Sequence, residues 1–286
     1  MDKHEFIWRL SLAQGVGLIG KHKLLAAAES EARYDDLTLL AARVGLDDDH
    51  ATRLVTSFYS PTVSQQLEQN ARVPHLFLGD ADYPSQLAET ATPPLVLYYQ
   101  GDASLLNQAS LAVVGSRQLI GYAKQALTTL LTPAVVANYP IVSGLARGVD
   151  GEAHVLTLQQ AGRPIGVIGC GLDVNYPPEN AALQTAVAAH GVVVTEYPLT
   201  TRPLPYHFPE RNRIIAGLSK ACLVITAEEK SGSLITANQA LQENRNVLAV
   251  PGLINMRFSR GCNQLIAAGA RPALTATDLV EELVGV

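Results

Sequence analysis

The sequence predicts an α/β protein in which an extended Rossmann-like domain with a parallel sheet follows a small all-helical domain. From residue 111 onward, short apolar runs of strand length alternate with segments long enough to form a crossover helix. Apolar strands separated by helices are typical of parallel sheets that are covered on both faces. The first 70 residues instead repeat leucine at helical spacings between glycine-rich or acidic breaks. We therefore expect a helical domain over residues 1–70 and the Rossmann-like domain over residues 71–286.

The helical region contains a glycine-rich turn between Leu12 and Gly20. Its pattern, L-A-Q-G-V-G-L-I-G, resembles the turn of a helix-hairpin-helix, in which glycines let backbone amides approach a DNA phosphate. The same pattern also fits a turn with a purely structural role, and both interpretations stay open.

A bridge and then six buried strands follow the helical region. Residues 71–110 contain two strand-like runs, at 75–78 and 95–99, which nearby prolines restrict to edge strands or short strands. Right-handed crossovers are expected to connect the buried strands of the parallel sheet. These strands are predicted at residues 111–114, 141–142, 165–168, 192–195, 223–226 and 247–250.

The composition is that of an ordinary globular protein, with 48% hydrophobic and 16% charged residues. The N-terminal segment is charged and lacks the apolar centre of a signal peptide, and no apolar run reaches the roughly 18 residues of a membrane span. The three cysteines lie far apart and suit buried thiols, so we expect a cytoplasmic protein. The net charge of −5 is uneven, since residues 111–260 hold 12 Lys/Arg and 9 Asp/Glu. This balance alone does not indicate a nucleic-acid partner.

Three loops that follow predicted strands are rich in small residues. In a parallel sheet, ligands bind beyond the carboxyl ends of the strands, where loops lead into helix N-termini. Backbone N–H groups and serine hydroxyls in such loops suit an anion, and Arg117 and Arg147 add guanidinium groups that fit phosphate oxygens. Each loop taken alone also fits an ordinary tight turn. The loops span residues 114–117, 142–150 and 230–236, and the last leads into a helix predicted at 237–244.

The H-F-P-E-R-N-R-I-I-A-G-L segment fits a helix with Pro209 in its first turn. Arg211 and Arg213 then project from that turn on different faces. Their guanidinium groups either bind the phosphates of a ligand or form buried ion pairs with Glu228 or Glu196, and the sequence leaves both interpretations open.

Enzyme signatures are mostly absent from the sequence. The pattern Gly169-Cys-Gly171 begins like a dinucleotide fingerprint but has Val174 where the third glycine belongs, and no G-x-x-x-x-G-K-[ST] or G-x-S-x-G motif occurs. The seven histidines are scattered, so we expect no metal, no cofactor and no catalytic residues. The alternative is a nucleotide-binding Rossmann-like enzyme of the phosphoribohydrolase type, although its acid/base glutamate has no counterpart before Glu243.

Four blocks together resemble the DNA-processing DprA/Smf family. They are G-S-R at 115–117, S-G-L-A-R-G-V-D at 143–150, F-P-E-R-N-R-I-I-A-G-L at 208–218 and S-G-S-L-I-T at 231–236. The resemblance covers about residues 75–280, and the order and spacing of the blocks fit the family.

The resemblance implies a protein that binds single-stranded DNA without sequence preference and is not an enzyme. Members of the family protect incoming DNA and help load a RecA-type recombinase during natural transformation and recombination. They form homodimers through the C-terminal part of the Rossmann-like domain. The helical N-terminal region would correspond to the family's sterile-alpha-motif-like domain, and the chain resembles the short form without a C-terminal winged helix.

The resemblance also assigns site residues. Lysines of short-form relatives are replaced here near Pro178 and Pro205, so the arginines are expected to carry more of the phosphate contacts. The aromatic residues expected in loops where they could stack on bases are Tyr176, Tyr197, Tyr206 and Phe208. The expected DNA-binding residues are Gly115, Ser116, Arg117, Ser143, Gly144, Arg147, Gly148, Phe208, Arg211, Asn212, Arg213, Lys230, Ser231, Gly232 and Ser233. The expected dimer face contains Leu241, Leu265 and Ile266.

Overall fold

The computed structural model describes residues 1–284, and the chain divides into two compact units. One unit comprises Met1–Tyr83 with Ala91–Tyr98, and the other comprises Pro84–Thr90 with Tyr99–Val286. The predicted domain boundary at residue 70 stays a prediction, and each unit is described by itself below.

The first unit consists of helices followed by a β-hairpin. Side-chain oxygens of four capping residues, Asp2, Asp36, Asp47 and Ser60, accept hydrogen bonds from backbone N–H groups in the first turns of the helices that they precede. The antiparallel strands pair His75 with Tyr98 and Phe77 with Val96. The elements are α1 (Lys3–Leu12), α2 (Leu18–Glu31), α3 (Leu37–Arg43), α4 (Asp48–Phe58), α5 (Pro61–Asn70), β1 (His75–Phe77) and the first half of β2 (Val96–Gly101), whose last three residues belong to the second unit.

Aromatic side chains form much of the core of the first unit. The ring centroids of Phe6 and Phe58 lie 5.6 Å apart, and both rings are fully buried. The Trp8 indole N–H donates to the Tyr98 hydroxyl at 2.6 Å, which pairs the polar ends of two largely buried aromatic side chains. These contacts connect α1 to α4 and to the hairpin.

A parallel sheet forms the centre of the second unit and confirms the predicted fold class. The strands are β3 (Leu111–Val114), β4 (Ile141–Ser143), β5 (Pro164–Val167), β6 (Val192–Thr195), β7 (Ala221–Val224), β8 (Asn246–Ala249) and β9 (Arg271–Pro272). Their order in the sheet is β6-β5-β4-β3-β7-β8-β9, with every neighbouring pair parallel. The strands predicted at residues 223–226 and 247–250 begin earlier, because Ala221 of β7 pairs with Leu111 of β3 and Asn246 of β8 pairs with Ala221.

Helices connect the strands, and the helix after β7 begins earlier than predicted. The sequence suggested a start at residue 237, but the Leu234 N–H already donates to the Ser231 carbonyl at 3.1 Å. Ser231 is extended and the helix continues from Gly232. The helices are α6 (Ser85–Ala88), α7 (Gly121–Leu130), α8 (Pro133–Asn138), α9 (Val149–Gln159), α10 (Ala181–His190), α11 (His207–Leu218), α12 (Gly232–Gln242), α13 (Arg260–Ala267) and α14 (Ala276–Val284).

Apolar packing on the sheet holds the strand ends in place. A continuous buried cluster joins β3 and β7 to α7, α8, α9 and α14, with Leu111, Leu127, Leu223 and Leu279 all fully buried. Close packing of this kind leaves little freedom for the strands, so the loops at their carboxyl ends start from fixed positions. Within residues 1–284, no helix is long and apolar enough to cross a membrane.

Candidate nucleic-acid interface

The loops at the carboxyl ends of β3, β4 and β7 and the first turns of α11 surround an open cleft of about 510 Å³. The cleft lies at the sheet edge where ligands bind in this fold class. It brings together residues that are far apart in the sequence, including two arginines and three serines. Of the predicted site residues, it is lined by Gly115, Ser116, Arg117, Phe208, Arg211, Asn212, Ser231, Gly232 and Ser233.

Hydrogen bonds join the loops that follow β3, β4 and β7. The Val149 N–H donates to the Ser116 carbonyl at 3.1 Å, and the Ser116 N–H donates to the Thr226 hydroxyl at 3.3 Å. Gly148 has φ +77°, and a Cβ added there would lie 2.6 Å from the carbonyl carbon of Arg117. Only glycine therefore fits this close approach, which fixes the backbone that carries Arg117.

Arg211 is a buried arginine with side-chain donors that lack hydrogen-bond partners within the described residues. The residue is 4% exposed, and its Nε and Nη1 atoms have no hydrogen-bond partner among residues 1–284. Its Nη1 lies so close to Gly144 that an added Cβ would overlap it, so the position requires glycine. Buried charged donors without partners are costly, and an anion entering the cleft would supply the missing acceptors.

Asp150 partly compensates the charge of Arg211. Its Oδ2 accepts a hydrogen bond from the Gly144 N–H at 3.1 Å, and the residue is buried in the first turn of α9. Burial raises the pKa of Asp150, and the positive charge of Arg211 acts in the opposite direction. Burial also lowers the pKa of Arg211, against the effect of Asp150. The pair is therefore electrostatically coupled, while two Arg211 donors stay available to a ligand.

The aromatic ring of Phe208 lines the cleft, and other aromatic rings pack near it. The Arg117 guanidinium carbon lies 5.5 Å from the centroid of the Phe208 ring, within the range of a cation–π contact. The Tyr176 ring lies 5.3 Å from the Phe208 ring, and Tyr176 is 39% exposed. Tyr197 packs on His207 with ring centroids 4.1 Å apart. The exposed ring of Tyr176 and the half-buried ring of Phe208 thus lie side by side, with Arg117 next to Phe208.

Other predicted site residues lie outside the lining of the cleft. Arg147 is exposed and forms an ion pair with Glu179. Arg213 forms a partly buried ion pair with Glu196, one of the two partners that the sequence suggested. Ser143 is buried at the end of β4, where its hydroxyl donates to the Val113 carbonyl at 2.6 Å. Gly144 and Gly148 act through backbone geometry, and Lys230 is exposed.

The residues expected at a dimer face differ in their exposure. Leu241 on α12 is 50% exposed, whereas Leu265 on α13 is only 8% exposed and packs into the interior of its own chain. Ile266 is half-buried. Leu265 therefore offers little surface to a second copy, and the dimer face stays a prediction that depends mainly on Leu241 and Ile266.

Sequence reasoning did not assign a site role to Asp150 or Glu228. Both line the cleft. Asp150 ends the S-G-L-A-R-G-V-D block, so an acidic residue in the first turn of a helix was the available signal. Glu228 pairs with Arg257 at 2.7 Å, a contact between distant segments that no local pattern predicts.

Comparison with known proteins identifies the family. Residues 74–284 match the family model described as DNA recombination-mediator protein A. The chain belongs to this family. The match covers about three quarters of the chain and includes each of the four loops and helix ends around the cleft. Membership supports the interpretation as a DNA-processing protein over the phosphoribohydrolase-type alternative.

Relatives and solved structures support the same assignment. The chain is 42% identical over 207 residues to the DNA processing protein DprA of Bacillus subtilis, covering 72% of this chain and 70% of that protein. The crystal structure of DNA processing protein A from Streptococcus pneumoniae matches with a TM-score of 0.91 and 34% identity, over 99% of this chain and 98% of the other. DNA processing protein A from Helicobacter pylori, for which a single-stranded DNA binding mode has been described, matches with a TM-score of 0.65 and 28% identity, over 75% and 98%.

Proposed function

We propose that this chain binds single-stranded DNA without sequence preference through the cleft at the carboxyl edge of its parallel sheet. The observation that carries the proposal is Arg211, a buried guanidinium with two unpaired donors beside Gly144. A phosphate of the DNA backbone supplies the acceptors that this group lacks. Phosphate contacts dominate non-specific binding, and they do not depend on the base sequence.

The rest of the cleft suits an unpaired strand. Arg117 and the serine-lined N-terminus of α12 provide further donors for phosphate oxygens. The exposed Tyr176 ring and the half-buried Phe208 ring beside it provide a surface on which unstacked bases can lie. Every base has a π-face, so stacking of this kind tolerates any sequence, whereas the bases of a duplex are already stacked on one another.

We further propose that the chain acts in the cytoplasm as a recombination mediator and not as an enzyme. In this role it protects incoming single strands and helps a RecA-type recombinase to load on them during natural transformation and recombination. The description of the matched family as a recombination mediator supports this role. A homodimer would let one strand engage two clefts, which raises the overall affinity without new contacts.

The experiment that tests DNA binding is an anisotropy titration of a labelled oligothymidine over a series of salt concentrations, with duplex DNA as competitor. We expect affinity that falls as salt rises and a preference for the single strand.

Replacing Arg117 with Ala should weaken binding by about 1–3 kcal/mol, the usual cost of losing a charged hydrogen bond.

Arg163→Ala provides a matched control for Arg117→Ala. Arg163 is also exposed, but it directly precedes β5 and therefore lies at the opposite, amino edge of the sheet. The control should bind DNA as the unmodified protein does. Equal losses in both variants, or no loss in a folded Arg117→Ala protein, would contradict the assignment of the cleft.

A further inference from the structure

A second, smaller cavity adjoins the cleft. It has a volume of about 60 Å³ and lies where the chain leaves β4 and β5. A water molecule needs roughly 10–15 Å³ of such volume, so the cavity has room for about four to six atoms of that size. A phosphate group contains five atoms. We call it the end pocket, and it is lined by Arg117, Gly144, Ala146, Arg147, Ile168, Gly169, Cys170, Tyr176, Pro177, Phe208 and Arg211.

Three guanidinium groups line this small space. Arg117 and Arg147 are exposed, while Arg211 is buried and its Nε and Nη1 donors lack partners within the described residues. Glu179 pairs with Arg147 on the outside, and Asp150 lines the neighbouring cleft rather than the end pocket. The end pocket therefore has an excess of positive charge and of donors over the acceptors that the protein provides.

Two kinds of phosphate occur in a DNA strand, and they differ in the number of oxygens that can accept hydrogen bonds from the arginines. A phosphodiester within a strand has two unesterified oxygens, and the strand must continue on both sides of it. A terminal phosphomonoester has three unesterified oxygens and one ester link, and it carries a charge of about −1.5 to −2 at neutral pH. Buried residues, among them Gly144, Ile168 and Cys170, form the inner wall of the end pocket, so a chain has no room to continue there.

We infer that the end pocket binds a phosphomonoester, with the three arginines around its three free oxygens. Two sources share this chemistry, the phosphorylated end of a DNA strand and a free mononucleotide. For a strand, the exposed Tyr176 ring, which packs on Phe208, receives the terminal base while the following phosphates lie in the cleft. This inference rests on the proposed function, because it makes the cleft and the end pocket parts of one DNA-binding surface.

The test compares oligothymidines of one length that carry an internal fluorophore and differ only at their ends. One has hydroxyl groups at both ends, one a 5′-phosphate and one a 3′-phosphate. We expect one phosphorylated strand to bind at least about tenfold more tightly than the hydroxyl-ended strand, as additional charged hydrogen bonds require. Equal affinities for the three strands would overturn the inference and leave single-strand binding intact, whereas no binding of any strand would contradict the proposed function itself.

Competition with thymidine monophosphate separates the two sources. If the strand end is the ligand, the mononucleotide should displace a phosphorylated oligothymidine only at concentrations far above those of an unlabelled phosphorylated strand. Displacement at equal concentrations would still support a phosphomonoester site and would assign it to the free nucleotide.

A variant that narrows the end pocket tests its location. A Cβ added at Gly169 would stand 3.4 Å from Phe208 Cδ1 and 3.5 Å from His207 Cβ, which is ordinary contact distance, so Gly169→Ala should fold. The ratio between affinities for phosphorylated and hydroxyl-ended strands should fall toward 1 in this variant. Gly121→Ala, where an added Cβ meets nothing within 4 Å, should keep the ratio of the unmodified protein.

An unchanged ratio in folded Gly169→Ala would show that the phosphate binds elsewhere. If that variant does not fold, the comparison of strand ends decides the inference.

Discussion

At the scale of single residues, the site depends on a glycine and an arginine that occupy the same small space. The Gly144 Cα faces the Arg211 guanidinium, and the Gly144 N–H donates to Asp150. A side chain at position 144 would move Arg211 away from both the cleft and the end pocket. The glycine of the S-G-L-A-R-G-V-D block is therefore required for the position of an arginine in another block, as well as for the turn itself.

Replacing Gly144 with Ala should reduce both DNA binding and stability. The added methyl group overlaps Arg211 Nη1, and relieving such overpacking typically costs about 1–3 kcal/mol. Thermal denaturation should show a lower midpoint, and anisotropy should show weaker binding of oligothymidine. Gly121→Ala adds the same methyl group in open space and should change neither property. Unchanged binding by Gly144→Ala would mean that Arg211 does not contact the DNA.

At the scale of elements, three helices that begin at the carboxyl edge contribute different groups to the surface. The N-terminus of α9 contributes Asp150, α11 contributes Phe208 and Arg211, and α12 contributes Ser231 at its cap and Ser233 in its first turn. The early start of α12 is what brings Ser233 to the cleft. A helix starting at residue 237, as the sequence suggested, would have left that serine in a loop.

The strand order also places the proposed dimer helices together. The connections from β7 to β8 and from β8 to β9 step in the same direction across the sheet, so right-handed crossovers put α12 and α13 on one face. Leu241 on α12 and Ile266 on α13 are therefore expected on the same face of the sheet, whereas Leu265 is buried within its own chain.

Replacing Leu241 with Lys should lower the oligomeric state if α12 forms the dimer face. The side chain is 50% exposed in the single chain, so the substitution costs little in the monomer but places a charge inside the interface. Light scattering coupled to size-exclusion chromatography measures the change. Leu39→Lys, at a leucine of the first unit that is 41% exposed, serves as the control. A dimer that persists in the Leu241 variant would place the face elsewhere.

At the scale of the whole molecule, buried ionisable groups make stability depend on pH. His154 on α9 is fully buried, and burial lowers its pKa from the usual 6.5 to about 4. Between these values the unfolded chain takes up a proton at this histidine while the folded chain does not. The stabilisation that depends on neutral His154 is therefore present above pH 6.5 and is lost as pH falls toward 4.

Because of His154, the unmodified protein should lose about 2 kcal/mol of unfolding free energy between pH 7.5 and pH 5.0. This contribution should be absent from His154→Leu. Urea denaturation at the two pH values measures this loss in the unmodified protein and in the variant. Asp150, whose pKa is raised by burial, contributes with the opposite sign in both proteins, so the difference between them isolates His154. His190→Gln changes an exposed histidine and should keep the pH dependence. Equal pH dependence in His154→Leu would show that another group dominates.

Much of the fold followed from local patterns. The strands at 111–114 and 192–195 were predicted to the residue, because each is a short apolar run bounded by clear breaks. The ends of other elements shifted by a few residues, since pairing with a neighbouring strand or a carbonyl at a cap decides where an element begins.

By itself, the sequence determined the alternation of strands and helices, the small-residue loops and the arginines within or next to them, because these are properties of short stretches of chain. Tertiary structure alone decided what each arginine does. Arg213 and Arg147 each meet a carboxylate, Arg117 lies over Phe208, and Arg211 is buried with unpaired donors. The physical reason is that charge, burial and partners depend on which segments the sheet brings to one edge, and no spacing along the chain specifies them.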